Sequence, residues 1–516
     1  MRSLICCLVA LIALAASPAS ALVRTTAGAV EGVRDGALEV YKGVPFAAPP
    51  IGPLRWREPQ PVAAWDGVRS ATAFAPACLQ TGVSMPGEAP PKVSEDCLYL
   101  NIWAPAGANA RLPVLVWIYG GGFSNGSASM PLYWGDKLAR KGVIVVTVAY
   151  RVGPFGWFAH PALTAESPHH SSGNYGLEDQ IAALRWVQSN IAAFGGDPSK
   201  VTIAGQSAGA ASMSLLVASP QARGLFRGVI AESGGMFEPL QLAPGYQLAN
   251  AEREGAAFAQ SLGAKSLADL RALPANTIMA GHWAPVVHPV IEPYALPRSP
   301  YDAYVAGSQN DTPIMVGSNA DEARSLISDL DSVTAANFDA GIAKAWGPLP
   351  PQLLAPYPRA TDAQAKTARL DFERDLRFAW DDWAWARLQV AKSRYPVFYY
   401  QFAHAPPFPA GSVYAGWGPS HFAELWYVFD HLDQEPTWRW TAQDRALADA
   451  MSSYWTNFVK TGDPNGPGLP LWPHFDPARD STLSLNDPIA VTAVPNLDKL
   501  QAFDAVYSAV RGGPSK

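Results

Sequence analysis

The amino-acid sequence predicts an α/β fold, with a mostly parallel central sheet flanked by helices. Three observations carry that reading. The runs Leu112–Tyr119 (LPVLVWIY), Val143–Tyr150 (VIVVTVAY), Val201–Gly205, Pro313–Gly317 and Pro396–Phe402 have strand length and are almost continuously apolar. Such runs suit strands covered on both faces rather than on one. Between them Leu177, Ile181, Leu184, Val187 and Ile191 recur at the spacing of one helix face, and helical periodicity returns over Ala442–Val459. Finally, no fixed-period repeat, low-complexity linker or charge block divides the chain. Strands alternating with helices in an undivided chain predict a single domain with long loop and helical insertions. The 47 prolines gather in connections such as Pro45–Pro61 and Pro86–Pro91, which predicts ordered loops draped over the sheet.

Met1-Arg2, the apolar run Leu4 to Ala16 and the small-residue triplet Ala19-Ser20-Ala21 read as a secretory signal peptide over residues 1–21, with cleavage after Ala21. The run is too short to span a bilayer comfortably, and no later stretch approaches a spanning helix. The domain is therefore expected over residues 22–516, secreted or periplasmic, with no membrane span. Lys+Arg 38 against Asp+Glu 44 leaves a mildly acidic chain without a basic patch, which argues against nucleic acid as a partner. Cys6 and Cys7 leave with the signal peptide, so Cys78 and Cys97 remain as an even pair in an exported protein. Oxidising compartments favour their pairing, which would close a loop contributing roughly 3 kcal/mol in the chain-entropy model. Two buried free thiols are the alternative.

The apolar run Val201–Gly205 leads directly into Gly205-Gln206-Ser207-Ala208-Gly209, and a small-residue helical pattern, Ala210 to Val217, follows. This G-x-S-x-G has the context of a nucleophile elbow, a sharp strand-to-helix turn that lifts the serine hydroxyl above the sheet. Attack on a carbonyl creates an oxyanion, for which backbone N–H groups must already be in place. The strand at Leu112 ends in Gly120-Gly121-Gly122-Phe123, a turn of the H-G-G-G type with Tyr119 in the histidine's place. Gly121, Gly122 and Ala208 are the expected oxyanion-hole donors. A phosphate-binding turn would need the G-x-x-x-x-G-K spacing, which is missing here.

Further blocks, in order along the chain, resemble the type-B carboxylesterases, the family that also contains the cholinesterases. They include Gly43-Val44-Pro45-Phe46-Ala47, Pro53-Leu54-Arg55-Trp56, Glu95-Asp96-Cys97-Leu98-Tyr99-Leu100-Asn101 and Tyr150-Arg151-Val152-Gly153-Pro154-Phe155-Gly156. Gly173-Asn174-Tyr175-Gly176-Leu177-Glu178-Asp179-Gln180 and the segment Trp455 to Asn465 continue the match. The resemblance implies an α/β-hydrolase fold and cleavage of carboxylic esters through an acyl-serine intermediate, without a cofactor or metal. Ser318-Asn319-Ala320-Asp321-Glu322 looks like the family's acid block and makes Glu322, not its neighbour Asp321, the triad acid. Of nine histidines only His421 lies in a family-like block, Gly418 to Leu425. The implied roles are Ser207 as nucleophile, His421 as general base and acid, and Glu322 as the acid orienting it. His169-His170 sits in a polar loop with no second ligand cluster, so no metal site is read there.

The resemblance also implies ion pairs Arg55–Glu95 and Arg151–Asp179 beneath the active-site loops. Departures bear on the substrate. Cholinesterase-like members carry glutamate where this chain has Gln206, and a tryptophan in the first disulfide loop, where Leu79 to Asp96 holds no aromatic residue. The family's Asp-Gly block before the acid strand stands here as Glu292-Pro293, read as a loop difference. Trp283, Trp417 and Phe237 are candidates for lining the site, with core packing the commoner role. Two other readings share the fold: a non-catalytic adhesion protein, which would lack the complete triad, and a serine amidase or peptidase. A small-molecule ester is the expected partner.

Overall fold

The computed structural model describes residues 20–512, apart from 84, 86, 87 and 108–110. Twelve strands form the path of one sheet: β1 (Ser20–Arg24), β2 (Ala29–Asp35), β3 (Leu38–Pro45), β4 (Tyr99–Pro105), β5 (Leu112–Ile118), β6 (Ile144–Val148), β7 (Gly196–Gln206), β8 (Gly228–Glu232), β9 (Ile314–Asn319), β10 (Val397–Phe402), β11 (Ser481–Leu485) and β12 (Ala490–Ala493). Their spatial order is β1-β2-β3-β4-β6-β5-β7-β8-β9-β10-β11-β12, and Val68–Ser70 pairs alongside β2 as the thirteenth strand. From β6 to β11 every neighbouring pair is parallel, while the pairs outside that stretch on the path are antiparallel. The expected central strands are all present, with ends moved by a few residues; the one begun at Val201 extends back to Gly196.

The parallel core is apolar for the reason the sequence suggests. Every residue of β6 is buried, as are Val114 to Ile118 of β5. Helices α1 (Tyr175–Asn190), α2 (Ala208–Ala218), α3 (Trp380–Lys392), α4 (Ala442–Thr461) and α5 (Leu497–Val510) cover the sheet and its far edge. Thr441 caps α4 by accepting the N–H of Asp444 at 3.2 Å, while Asp444 Oδ2 accepts the N–H of Thr441 at 2.7 Å. Gly462, left-handed at φ 82°, ends that helix. Trp117, Trp383 and Trp455 are almost wholly enclosed, each a large share of the apolar area that drives folding.

One disulfide and two ion pairs fix the loops above the sheet. Cys78 and Cys97 form a disulfide. Arg55 Nε and Nη2 donate to Glu95 at 2.7 and 2.6 Å, and Arg151 Nε and Nη2 donate to Asp179, each at 2.8 Å. The expected signal peptide lies outside the described residues up to position 19, and its expected cut falls within β1. No helix among the described residues is long and apolar enough to cross a membrane.

Candidate active site

The site stands at the carboxyl ends of the parallel strands, where open α/β sheets leave a crevice. Ser207 follows β7 directly and caps α2 with φ 58° and ψ −125°, a backbone conformation that side chains rarely adopt. Its N–H donates to the carbonyl of Glu232 at 2.8 Å, and its own carbonyl accepts from Ala211 at 2.8 Å. The flanking glycines are sterically required: a Cβ on Gly205 would lie 2.6 Å from Gly209, and one on Gly209 would lie 2.1 Å from the Ile118 carbonyl. The strained turn persists because strand, helix and neighbouring strand close on it from three sides.

The turn after β5 brings Gly120, Gly121 and Gly122 to the same place. Tyr119 anchors it, since Tyr119 and Tyr150 stack at 4.5 Å and the Tyr150 hydroxyl donates to the Tyr119 carbonyl at 2.9 Å. Gly121 and Gly122 take φ 114° and 60°. A Cβ on Gly121 would stand 2.3 Å from the Asn125 carbonyl, so the turn can be this tight only with glycine. Gly121, Gly122 and Ala208 line one cavity of about 740 Å³ together with Ser207 and His421.

Glu322 follows β9 and is fully buried. Its Oε1 accepts the N–H of Asn319 at 2.7 Å, and its Oε2 lies 2.5 Å from His421 Nδ1, the ring nitrogen donating because a carboxylate only accepts. The His421 N–H adds a longer bond to the Glu322 carbonyl at 3.3 Å. Asp321 is set apart: its side chain is 40% exposed and faces Arg324 at 3.6 Å. The His421 ring stacks on Phe378 with centroids 4.5 Å apart, and Gln206 Nε2 lies 3.3 Å from its Nε2. Among the described residues His421 makes no hydrogen bond to Ser207; Glu322 and Gln206 are its ring partners.

Beneath these groups lie acids that the motifs did not point to. Glu232, Asp382 and Glu424 are fully buried, and Glu232 Oε2, Asp382 Oδ2 and Glu424 Oε1 find no partner among the described residues. Burial pushes Glu232 up to about 8 and holds Asp382 and Glu424 well above the usual carboxylate range. Trp455 Nε1 donates to Glu232 Oε1 at 2.7 Å, and the Asn319 amide bonds Glu424 Oε2. Glu424 and Asn319 stand inside the blocks that flag His421 and Glu322; only their burial reveals a common environment.

The aromatic candidates are placed differently from one another. Phe237 is a core residue, packed against Trp385 at 5.2 Å. Trp283 packs in a side cluster and donates to the Met279 carbonyl at 3.0 Å, and Trp417 stands edge-on to Tyr414 at 5.3 Å. The cavity's aromatic lining includes instead Phe123, Tyr133, Tyr246, Trp346, Phe378, Phe422 and Tyr507, with Asp381 and Glu238 among its polar groups. Nothing in the local pattern of these residues sets them apart from core aromatics. Glu292 is a loop organiser: its carboxylate accepts from the Asn174 amide at 2.9 Å and from three backbone N–H groups at 2.7 to 2.9 Å. His169 stacks on Tyr294, and no group of three or more metal-ligating side chains occurs among the described residues.

Comparison with known proteins gives a consistent result. A family model described as the carboxylesterase family matches residues 19–503. Fumonisin B1 esterase of Sphingopyxis macrogoltabida is 38% identical over 470 residues, covering 88% of this chain and 84% of that protein. Para-nitrobenzyl esterase of Bacillus subtilis (strain 168) is 35% identical over 502 residues, covering 93% and 98%. A solved PNB esterase structure superposes with a TM-score of 0.80 at 34% identity, covering 93% of this chain and 99% of that one.

Proposed function

Because this chain belongs to the carboxylesterase family and is a carboxylic ester hydrolase of α/β-hydrolase fold, we propose that Ser207, His421 and Glu322 carry its chemistry. The observation behind this is the 2.5 Å contact of His421 Nδ1 with buried Glu322, in the cavity that Ser207 enters from a strained elbow. With Nδ1–H given to Glu322, the free Nε2 is the basic nitrogen. His421 Nε2 takes the Ser207 proton as Oγ attacks the ester carbonyl, and the carboxylate stabilises the imidazolium. The N–H groups of Gly121, Gly122 and Ala208 receive the oxyanion; loss of one such donor typically costs about 10²–10³ in kcat. Collapse expels the alkoxide, protonated by His421, and leaves acyl-Ser207. Water, deprotonated by the same ring, then releases the acid. Hydrogen bonds at such sites tighten when substrate arrives, so an open Ser207–His421 contact suits the free enzyme.

A cavity of about 740 Å³ accommodates a drug-sized ester. The first twenty-one residues are proposed to direct export, with one catalytic domain from residue 22 onward; its support is the single continuous sheet drawn from the whole described length. Mass measurement of the exported protein, with Leu22 expected as its first residue, checks the cut.

The central test is Ser207→Ala. It should abolish turnover of p-nitrophenyl esters and labelling by a fluorophosphonate while the circular dichroism spectrum stays unchanged. Normal turnover by this variant would remove the assignment. His421→Ala should be about as damaging and Glu322→Gln less so, because groups acting as one unit are strongly non-additive.

A further inference from the structure

Gln206 is 2% exposed and occupies the last position of β7, one residue before the elbow serine. Its carboxamide lies between the two halves of the site. On one side its Oε1 packs over the oxyanion turn, where a Cβ on Gly120 would stand 3.1 Å away. On the other its Nε2 approaches His421, 3.3 Å from Nε2 and 3.5 Å from Nδ1. Near-equal distances to the two ring nitrogens place the amide nitrogen over the ring plane, out of line with either nitrogen's in-plane bonding direction. Both exceed the usual range of an N–H donor bond, so the contact leaves the Nε2 lone pair available to Ser207. Phe378 covers a ring face and Glu322 holds Nδ1, which makes Gln206 the third boundary of the imidazole.

We infer that Gln206 is a positioning residue for His421, holding the imidazole against the oxyanion turn while keeping the base free of a second negative charge. This rests on the reading of His421 as the general base. The charged and titratable groups around the ring come from several elements. Glu322 follows β9, Asp382 lies on α3, Glu232 ends β8 and Glu424 follows the histidine itself. Only Glu322 touches the ring; the other three acids are buried and held toward the neutral form. The neutral amide at 206 completes that pattern. The imidazolium formed during attack is therefore balanced by one carboxylate.

Two near-isosteric variants separate the roles. Gln206→Glu places a carboxylate where the amide now sits, and an opposite charge at that range shifts a titrating group by about 1–3 units. Stabilised imidazolium means a higher ring pKa, and His421 must be neutral to accept the Ser207 proton. The acid limb of the kcat/KM profile should therefore move upward by a unit or more. Gln206→Met keeps size and neutrality but loses the amide contact. It should lower kcat about tenfold with KM little changed and the acid limb in place. The substrate is a p-nitrophenyl ester, and all variants are compared by thermal unfolding. An unmoved acid limb in Gln206→Glu, or wild-type kcat in Gln206→Met, overturns the inference. Activity of the wild type and its loss in Ser207→Ala are measured first, so a failure there strikes the catalytic assignment and not Gln206.

Discussion

Buried charge is handled in two opposite ways in this molecule. Beneath the loop segments, Arg151 and Asp179 meet through two side-chain bonds of 2.8 Å, and the Arg151 N–H adds a third at 2.9 Å. Behind the cavity, Glu232, Asp382 and Glu424 each keep an oxygen with no partner among the described residues, and burial holds all three above the usual carboxylate range. Burial raises Asp179 too, but the Arg151 guanidinium opposes it through charge and hydrogen bonds, so the first region carries charge and compensates it. The second avoids charge by keeping its protons. A paired Arg–Asp fixes two segments in one geometry, which a scaffold requires. Acids held toward the neutral form leave Glu322 as the one carboxylate touching the His421 ring, so the ring answers to one charged partner.

The sharpest way to break this comparison is to remove half of the paired region. Asp179→Asn leaves the Arg151 guanidinium buried without its counter-ion, and breaking a buried pair in this way costs about 3–5 kcal/mol. Urea unfolding should show that loss, with residual activity per folded molecule little changed. A loss below about 1 kcal/mol would mean that the pair does not hold the scaffold. The Arg55–Glu95 pair, whose side chains are 8% and 16% exposed, should matter less because water screens it in part.

The proton-keeping region gives a pH signature. Glu232 is raised from the ordinary 4.5 to about 8 in the folded protein, so the folded state binds its proton more tightly than the unfolded chain. Its contribution to stability is fully present below pH 4.5 and is lost as pH rises through about 8. Glu232→Gln imitates the protonated acid and cannot ionise. The variant should match the wild type at pH 5 and exceed it at pH 9 by a few kcal/mol, at ~1.36 kcal/mol per unit. Equal dependence of both proteins on pH would show that Glu232 is ionised in the fold after all.

These two regions were unequally legible in the sequence. Arg55, Glu95, Arg151, Asp179, Glu322 and His421 stand in ordered family-like blocks, and Ser207 in a motif whose context reports a strand, a turn and a helix. The long apolar strands declared themselves by composition. β8 has only five residues, GVIAE, too few for a periodic pattern, and β2 and β3 alternate weakly because one side is partly exposed. The buried acids were silent for another reason: a carboxylate's environment is assembled from α3, β8 and the loop after β10, far apart in the chain. The cavity's aromatics failed for the same cause. Phe378 and Trp346 read like core residues until the fold turns them toward Ser207.

The smallest expected effect concerns substrate charge, and it sharpens the comparison by asking whether the cavity favours cations. Relatives that take choline esters combine an acidic residue beside the serine with an open aromatic face. Here Gln206 is neutral. The cavity does contain Asp381 and Glu238, but burial raises both and Glu238 raises Asp381 further, with Arg511 opposing the shift at each. Its aromatic faces are in part already taken: Phe378 stacks on His421 at 4.5 Å, and the Arg377 guanidinium covers Trp346 at 4.4 Å. A desolvated cation–π contact contributes about 2 kcal/mol or more, above tenfold in kcat/KM. At pH 7 a butyrylcholine-type ester should therefore be turned over at least about tenfold less efficiently than its uncharged isostere. The measurement is kcat/KM for the pair at one ionic strength. Equal or better turnover of the cation would mean that Asp381 and Glu238 are ionised and that a ring such as Phe422, Tyr246 or Tyr507 receives the ammonium. Raising the pH gives the control, since ionisation of the two acids should narrow the gap without changing turnover of the neutral ester.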